Sequence, residues 1–172
     1  MMKRLWSPWR MEYVVGEKPE GCIFCDKAIE RSDSENLILF RGDHCFVMMN
    51  RYPYNNGHLM VAPYQHVDSP TKLSPEPLTE MMGVLNMCLE VLQDQMRPDG
   101  FNLGMNLGTS AGAGIRDHIH MHVVPRWTGD TNFMPVLADT RVIIERLDMC
   151  YQRLVPCFEG RRPGGPVSRE PN

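Results

Sequence analysis

DHIHMHVVPRW, residues 117–127, sets His118, His120 and His122 at every second position of a chain that holds six histidines in all. A β-strand turns successive side chains to opposite faces, so this spacing puts three imidazoles on one face and Ile119, Met121 and Val123 on the other. The apolar face belongs to a core and the imidazole face to chemistry. A solvated strand whose polar side repeats histidine is the plain alternative, and it suits one exposed histidine better than three in register.

Working outward, the strand needs partners. NLILF at 36–40, HCFVMMN at 44–50 and GHLMVAPY at 57–64 are short apolar runs bounded by turn residues, and they read as an antiparallel meander. NNG at 55–57 marks off the third run, so His58 opens a strand at an edge where it can face a pocket. FNLGMNL at 101–107 supplies a further strand, separated from the histidine strand by GTSAGAGIRD. Between 74 and 97 the period changes. Ser74 suits an N-cap with Pro75 in the first turn. Leu78, Met81, Met82, Leu85, Leu89, Leu92 and Met96 then recur at three- and four-residue intervals until Pro98. That predicts a long amphipathic helix whose methionines pack a core. A final helix is expected to start at Asp139 or Thr140 and to carry Val142, Ile143, Leu147, Cys150 and Leu154. The expected class is α+β: an antiparallel sheet of about five strands with a long central helix and a C-terminal helix against one face.

With 172 residues and 42% hydrophobic content, one domain can form a core without disulfides. Residues 1–21 read as an irregular arm, 22–157 as the domain, and 158–172 as a floppy tail too poor in apolar residues to order itself. A net charge of −3 argues against a nucleic-acid binder that neutralises many phosphates. No stretch is apolar enough for a signal peptide or a membrane span, so the expected location is the cytoplasm, with no membrane partner. In that reducing setting the close pair Cys22 and Cys25 is a metal site or a redox pair, while Cys45, Cys88 and Cys150 fill core.

Glycines in GTSAGAGIRD let backbone N–H groups close on an anion, although a plain hairpin connection has the same composition. A phosphate there would lie beside the imidazole face. Imidazole attacks phosphorus when neutral and donates a proton when charged, both near neutral pH. His120, flanked on both sides, suits the nucleophile of a phosphoanhydride displacement through a covalent phosphorus–nitrogen intermediate. His58 and His122 suit the stabilisation of phosphate charge.

HIHMHVV resembles the His-x-His-x-His-hydrophobic-hydrophobic motif of the histidine triad family of nucleotide-binding hydrolases and transferases. VMMNRYPYNNGHLMVAP at 47–63 is similar to that family's nucleoside-binding strands, and FNLGMNLGTSAGAG to its phosphate loop. RLWSPWRMEY, RYPYNNGHLMV and VVPRW most resemble bacterial members related to diadenosine tetraphosphate phosphorylases. The resemblance implies that His120 accepts the nucleotidyl group and that His122 contacts the transferred phosphate. It gives Asn50 the ribose hydroxyls, Asn106 the phosphate, and His58 a place near the phosphates. Phe46 and Met48 line the base pocket or are plain core. Where several members carry Gln, Ser or Thr before the triad, this chain has Gly114 and Ile115. Ser110, Thr109 or backbone N–H groups of the loop, around Gly112 and Gly114, are then left to meet the leaving phosphate.

The resemblance also implies a structural zinc on Cys22, Cys25, His66 and His118. A Cys-x-x-Cys turn offers two thiolates to one tetrahedral ion, and two histidines would close the site. A reduced, half-buried cysteine pair is the alternative. No organic cofactor is expected. The leading activity is cleavage of a dinucleoside polyphosphate, by water or by phosphate, through nucleotidyl-His120. The alternatives are a purine nucleoside phosphoramidase, a nucleotide-binding regulatory module with weak turnover, or a zinc-stabilised scaffold. A homodimer or higher homo-oligomer is expected from the family.

Overall fold

The computed structural model describes residues 21–130 and 145–164. Three strands come first: β1 (Ile38–Arg41), β2 (Cys45–Met49) and β3 (Leu59–Pro63). Two more, β4 (Gly100–Gly104) and β5 (Met121–Arg126), complete a five-stranded sheet in the order β1-β2-β3-β5-β4, antiparallel throughout. The expected α+β class, the meander and the strand count all stand. Before the sheet lie α1 (Ile23–Ile29) and the single turn α2 (Asp33–Asn36); α3 (Pro75–Met96) links β3 to β4, and α4 (Leu147–Leu154) follows β5.

Alternation along β2 and β3 divides the core. Val47, Met49, Leu59 and Val61 face α3 and α4, where they meet Val84, Leu85, Cys88, Val91, Leu92, Cys150 and Leu154. Phe46, Met48, Met60 and Ala62 face the other way and are covered by Phe24 of α1. The long helix and the C-terminal helix thus share one face, as expected, and α1 adds a helix on the other. Sequence patterning missed α1 because seven residues are too few for a 3.6-residue period to declare itself.

The long helix begins and ends as expected, with Ser74 at its N-cap, Pro75 in its first turn and the chain breaking away at Arg97, just before Pro98. Its buried stripe is rotated from the expected one: Leu78 and Met82 are exposed, and Pro77, Val84, Met87 and Val91 are buried in their place. The expected start of the last helix at Asp139 or Thr140, with Val142 and Ile143, falls outside the described residues. Within them, Arg146 is extended and α4 begins only at Leu147, so no single helix runs through to Leu154. The tail boundary also shifts. Phe158 is buried in the core with α4, Arg161 pairs with Glu90, and Pro163 lies against Gly83 of α3.

The histidine segment departs from a simple strand. Only His122 lies in the ladder, opposite Met60 of β3 and Gly104 of β4. His118 and His120 precede β5, in a stretch tied through the Ile119 N–H to the Val67 carbonyl at 2.7 Å. Alternation still holds, because Ile119 and Val123 enter the α3-side core while Phe24, on the opposite face, packs on both His118 and His120.

Candidate active site and metal centre

His58 sits in the loop immediately before β3, one residue short of the strand start expected for it, His122 lies in β5 and His120 on the approach to it. His120 and His122 have ring centroids 4.7 Å apart, and His58 and His122 5.1 Å. Hydrogen-bond partners fix where each ring carries its proton. A carbonyl oxygen only accepts, so His120 donates from Nδ1 to the His118 carbonyl at 3.0 Å. Burial lowers the His120 pKa below its ordinary 6.5, outweighing that carbonyl. The ring is therefore neutral near pH 7, and its Nε2 holds a lone pair.

His122 has the opposite arrangement. The Tyr54 backbone N–H donates to His58 Nδ1 at 3.0 Å, which makes Nε2 the protonated nitrogen of His58. That Nε2–H donates to His122 Nδ1 at 2.9 Å, so neutral His122 carries its hydrogen on Nε2. Two histidines of one segment thus offer a nucleophilic nitrogen and a hydrogen-bond donor side by side. His58 is 1% exposed and packs against Tyr54, with ring centroids 4.7 Å apart and the planes tilted by 35°. Asn50 accepts the Tyr52 N–H on Oδ1 at 2.9 Å and lies 3.4 Å from His58 Nδ1, so it braces the loop that carries this relay.

The remaining expected residues are placed differently. Asn106 is half-buried past the end of β4, while Ser110, in a short 3-10 turn (Thr109–Ala111), Gly112 and Gly114 are exposed on the connection leading to His118. Gly112 has φ +79° and Gly108 φ +77°, conformations that glycine adopts without strain. Phe46 and Met48 are both buried, and Phe46 stacks on Tyr64 with centroids 5.5 Å apart.

The second cluster forms on the far side of Phe24. Cys22 is the N-cap of α1 and Cys25 lies in its first turn, so a helix start rather than a free turn presents the thiols. Cys22 Sγ lies 3.3 Å from His118 Nδ1, Cys25 Sγ 3.5 Å from the same atom, and Cys25 Sγ 3.3 Å from His66 Nδ1. All four ligand atoms fall within 4.8 Å of one another. Tetrahedral zinc with bonds of about 2.0–2.3 Å sets ligand atoms about 3.3–3.8 Å apart, so the donor set fits. His118, fully buried, donates from Nε2 to the Pro63 carbonyl at 2.8 Å. Burial holds its pKa down, so Nδ1 turns a lone pair toward the sulfurs. Burial, with the adjoining Cys22, pushes the Cys25 thiol up to about 11, a crowding that a cation would relieve.

Sequence reasoning missed Phe24, whose ring centroid is 5.1 Å from that of His118 and 4.7 Å from that of His120. It also missed Tyr54, whose part is played by a backbone N–H. A helical reading of CIFCDKAI would have turned Phe24 inward. No residue type signals a backbone donor.

Residues 31–129 match the HIT domain family. AP-4-A phosphorylase of Mycobacterium tuberculosis is 39% identical over 154 residues, covering 85% of this chain and 79% of that protein. Among solved structures, a Zn-bound histidine triad family protein from Mycobacterium smegmatis superposes with a TM-score of 0.63 at 24% identity, over 80% of this chain and 93% of that one. A HIT family member from Bacillus subtilis gives a TM-score of 0.56 at 26% identity, over 63% of this chain and 74% of its own. With the motif, the sheet order and the domain match all in agreement, the chain belongs to the histidine triad (HIT) family.

Proposed function

We propose that the chain cleaves dinucleoside polyphosphates such as diadenosine tetraphosphate, by phosphorolysis or hydrolysis, through a covalent nucleotidyl intermediate on His120. The opposed tautomers of His120 and His122 carry this reading. The His120 Nε2 lone pair attacks the α-phosphorus. A P–N bond forms as the P–O bond to the leaving nucleoside polyphosphate breaks. His122 Nε2–H donates to the phosphate oxygens as their charge rises. Phosphate or water then attacks the same phosphorus and breaks the P–N bond, giving ADP or AMP. Asn50 holds the ribose in addition to its bracing role, while Asn106, Ser110 and the backbone around Gly112 and Gly114 meet the remaining phosphates. The name of the M. tuberculosis relative supports phosphate as the acceptor.

Cys22, Cys25, His66 and His118 would hold a structural zinc, whose charge keeps both thiols ionised and ties α1 to the histidine segment. A second copy of the chain pairs along β4, an edge strand whose Leu103 is 45% exposed and whose continuation Leu107 is 44% exposed. Free thiols at Cys22 and Cys25 suit the cytoplasm. Among the described residues, no helix is long and apolar enough to cross a membrane.

Incubation with diadenosine tetraphosphate, with and without phosphate, tests the activity by chromatography. ADP that appears only with phosphate identifies a phosphorylase, and AMP without it a hydrolase. His120→Ala is expected to lower kcat by at least about a thousandfold while nucleotide binding persists in calorimetry. Absence of product from any adenylyl substrate, the phosphoramidate included, would leave a binding module.

A further inference from the structure

Paired backbones between β3 and β5 end at Leu59 and Val123. Two residues further along β5, the Pro125 carbonyl is bonded not by a strand but by the side-chain amide of Asn55, at 3.1 Å. The same Nδ2 donates to Asp130 Oδ2 at 2.9 Å. The Asp130 side chain is 8% exposed; it also accepts two hydrogen bonds from Arg126, at 2.6 and 2.8 Å, and the Trp127 N–H at 3.2 Å. Asn55 in turn shapes the loop before β3: its carbonyl accepts the His58 N–H at 3.2 Å, and its Oδ1 accepts the Asn56 N–H. Its neighbour Tyr54 supplies the backbone N–H that fixes the His58 tautomer.

This geometry points to Asn55 and Asp130 as positioning residues for the histidine pair. They clamp the 52–57 loop to the end of the strand that carries His122, and so hold the Tyr54 N–H on His58 Nδ1 and the hydrogen of His122 on Nε2. Neither residue touches the reacting phosphorus. Their catalytic consequence rests on the reading of His122 as the phosphate's donor. The physical claim, that the clamp sets a tautomer, does not. Freed from the clamp, the loop withdraws the amide, His58 takes either tautomer, and His122 follows it.

The test uses the full chain labelled with nitrogen-15 and a long-range proton–nitrogen spectrum, which reads the tautomer of each imidazole. In Asn55→Ala and Asp130→Ala, His122 is expected to move from pure Nε2–H to a mixture. The kcat for diadenosine tetraphosphate is expected to fall by about tenfold or more while KM holds, a loss typical of outer-shell partners. Asn102→Ala removes a different bond from the same hub, the one Arg126 donates at 2.7 Å, and is expected to leave the His122 signal in place. A His122 signal unchanged in Asn55→Ala and Asp130→Ala, or shifted equally by Asn102→Ala, overturns the proposal. The Asp130→Ala spectrum decides alone should Asn55→Ala not fold. A parent protein that turns over no dinucleoside polyphosphate refutes the proposed activity, while the spectrum still decides the clamp.

Discussion

His120 is a histidine kept neutral by its surroundings, and that has a measurable sign. Its folded pKa lies below the ordinary 6.5 because burial penalises the charged ring. The acid limb of kcat/KM should therefore fall below pH 6.5, since the neutral nucleophile persists there. Stability should move with it. Below 6.5 the unfolded chain binds more protons at this position than the folded one, so the contribution is complete above 6.5 and is lost as pH falls through the folded value. Denaturant midpoints measured from pH 7 downward check this, with His120→Gln expected to flatten that part of the profile. At this scale the sequence was informative about identity and silent about state. Alternation alone put His120 and His122 on one face, yet nothing in HIHMHVV says that one ring carries its hydrogen on Nδ1 and the other on Nε2. Those placements depend on a carbonyl and an amide that belong to neighbouring backbone.

Among the elements, α1 joins the cysteine–histidine cluster to His120, and Arg41 of β1 holds its C-terminal end. The guanidinium donates to the carbonyls of Lys27, Ala28 and Glu30 and pairs with Asp33 at 2.7 Å. It thereby serves carbonyls that have no partner within the helix. Arg41→Ala is expected to cost about 2 kcal/mol in urea denaturation, a typical value for a charged hydrogen-bonding group, and to loosen Phe24 on His120. Long periodic elements were legible to within a residue: Ser74, Pro75 and Pro98 bracket α3 because cap and breaker chemistry is local. Short ones were not. The α1 helix exists because its Phe24 fills the sheet's second face, a tertiary cause with no local period, and β5 starts late because the segment at His118 follows Val67 instead of a strand. Leu78 and Met82 misled for a related reason, since a stripe of apolar letters does not say which way the helix is turned about its axis.

For the molecule as a whole, two contacts reach beyond any single element. The metal set joins α1, the segment after β3 and the approach to β5, so removing a bound metal should release all three together. Chelation is expected to lower Tm and to mobilise His120, while Cys22→Ser should reproduce both in metal-free buffer; metal analysis with thermal denaturation checks this. The pairing proposed along β4 is tested by Leu103→Glu, which is expected to give a monomer in sedimentation where the parent chain is a dimer, since a charge on an apolar edge strand opposes strand addition. Fold class was readable from composition and alternation, whereas sheet order, with β5 inserted between β3 and β4, rests on nonlocal pairing that no short window contains.

The three imidazoles of the motif receive their instructions from main-chain atoms: the oxygen of Pro63, the oxygen of His118 and, through His58, the nitrogen of Tyr54. Replacing a side chain other than His58 or the Asn55–Asp130 clamp deletes none of these atoms and leaves the loop in place, so mutational drift elsewhere around the centre leaves its protonation pattern intact while the backbone path is kept. The vulnerability lies in shape: an insertion or deletion between Asn50 and His58 would scramble the pattern with every histidine still present.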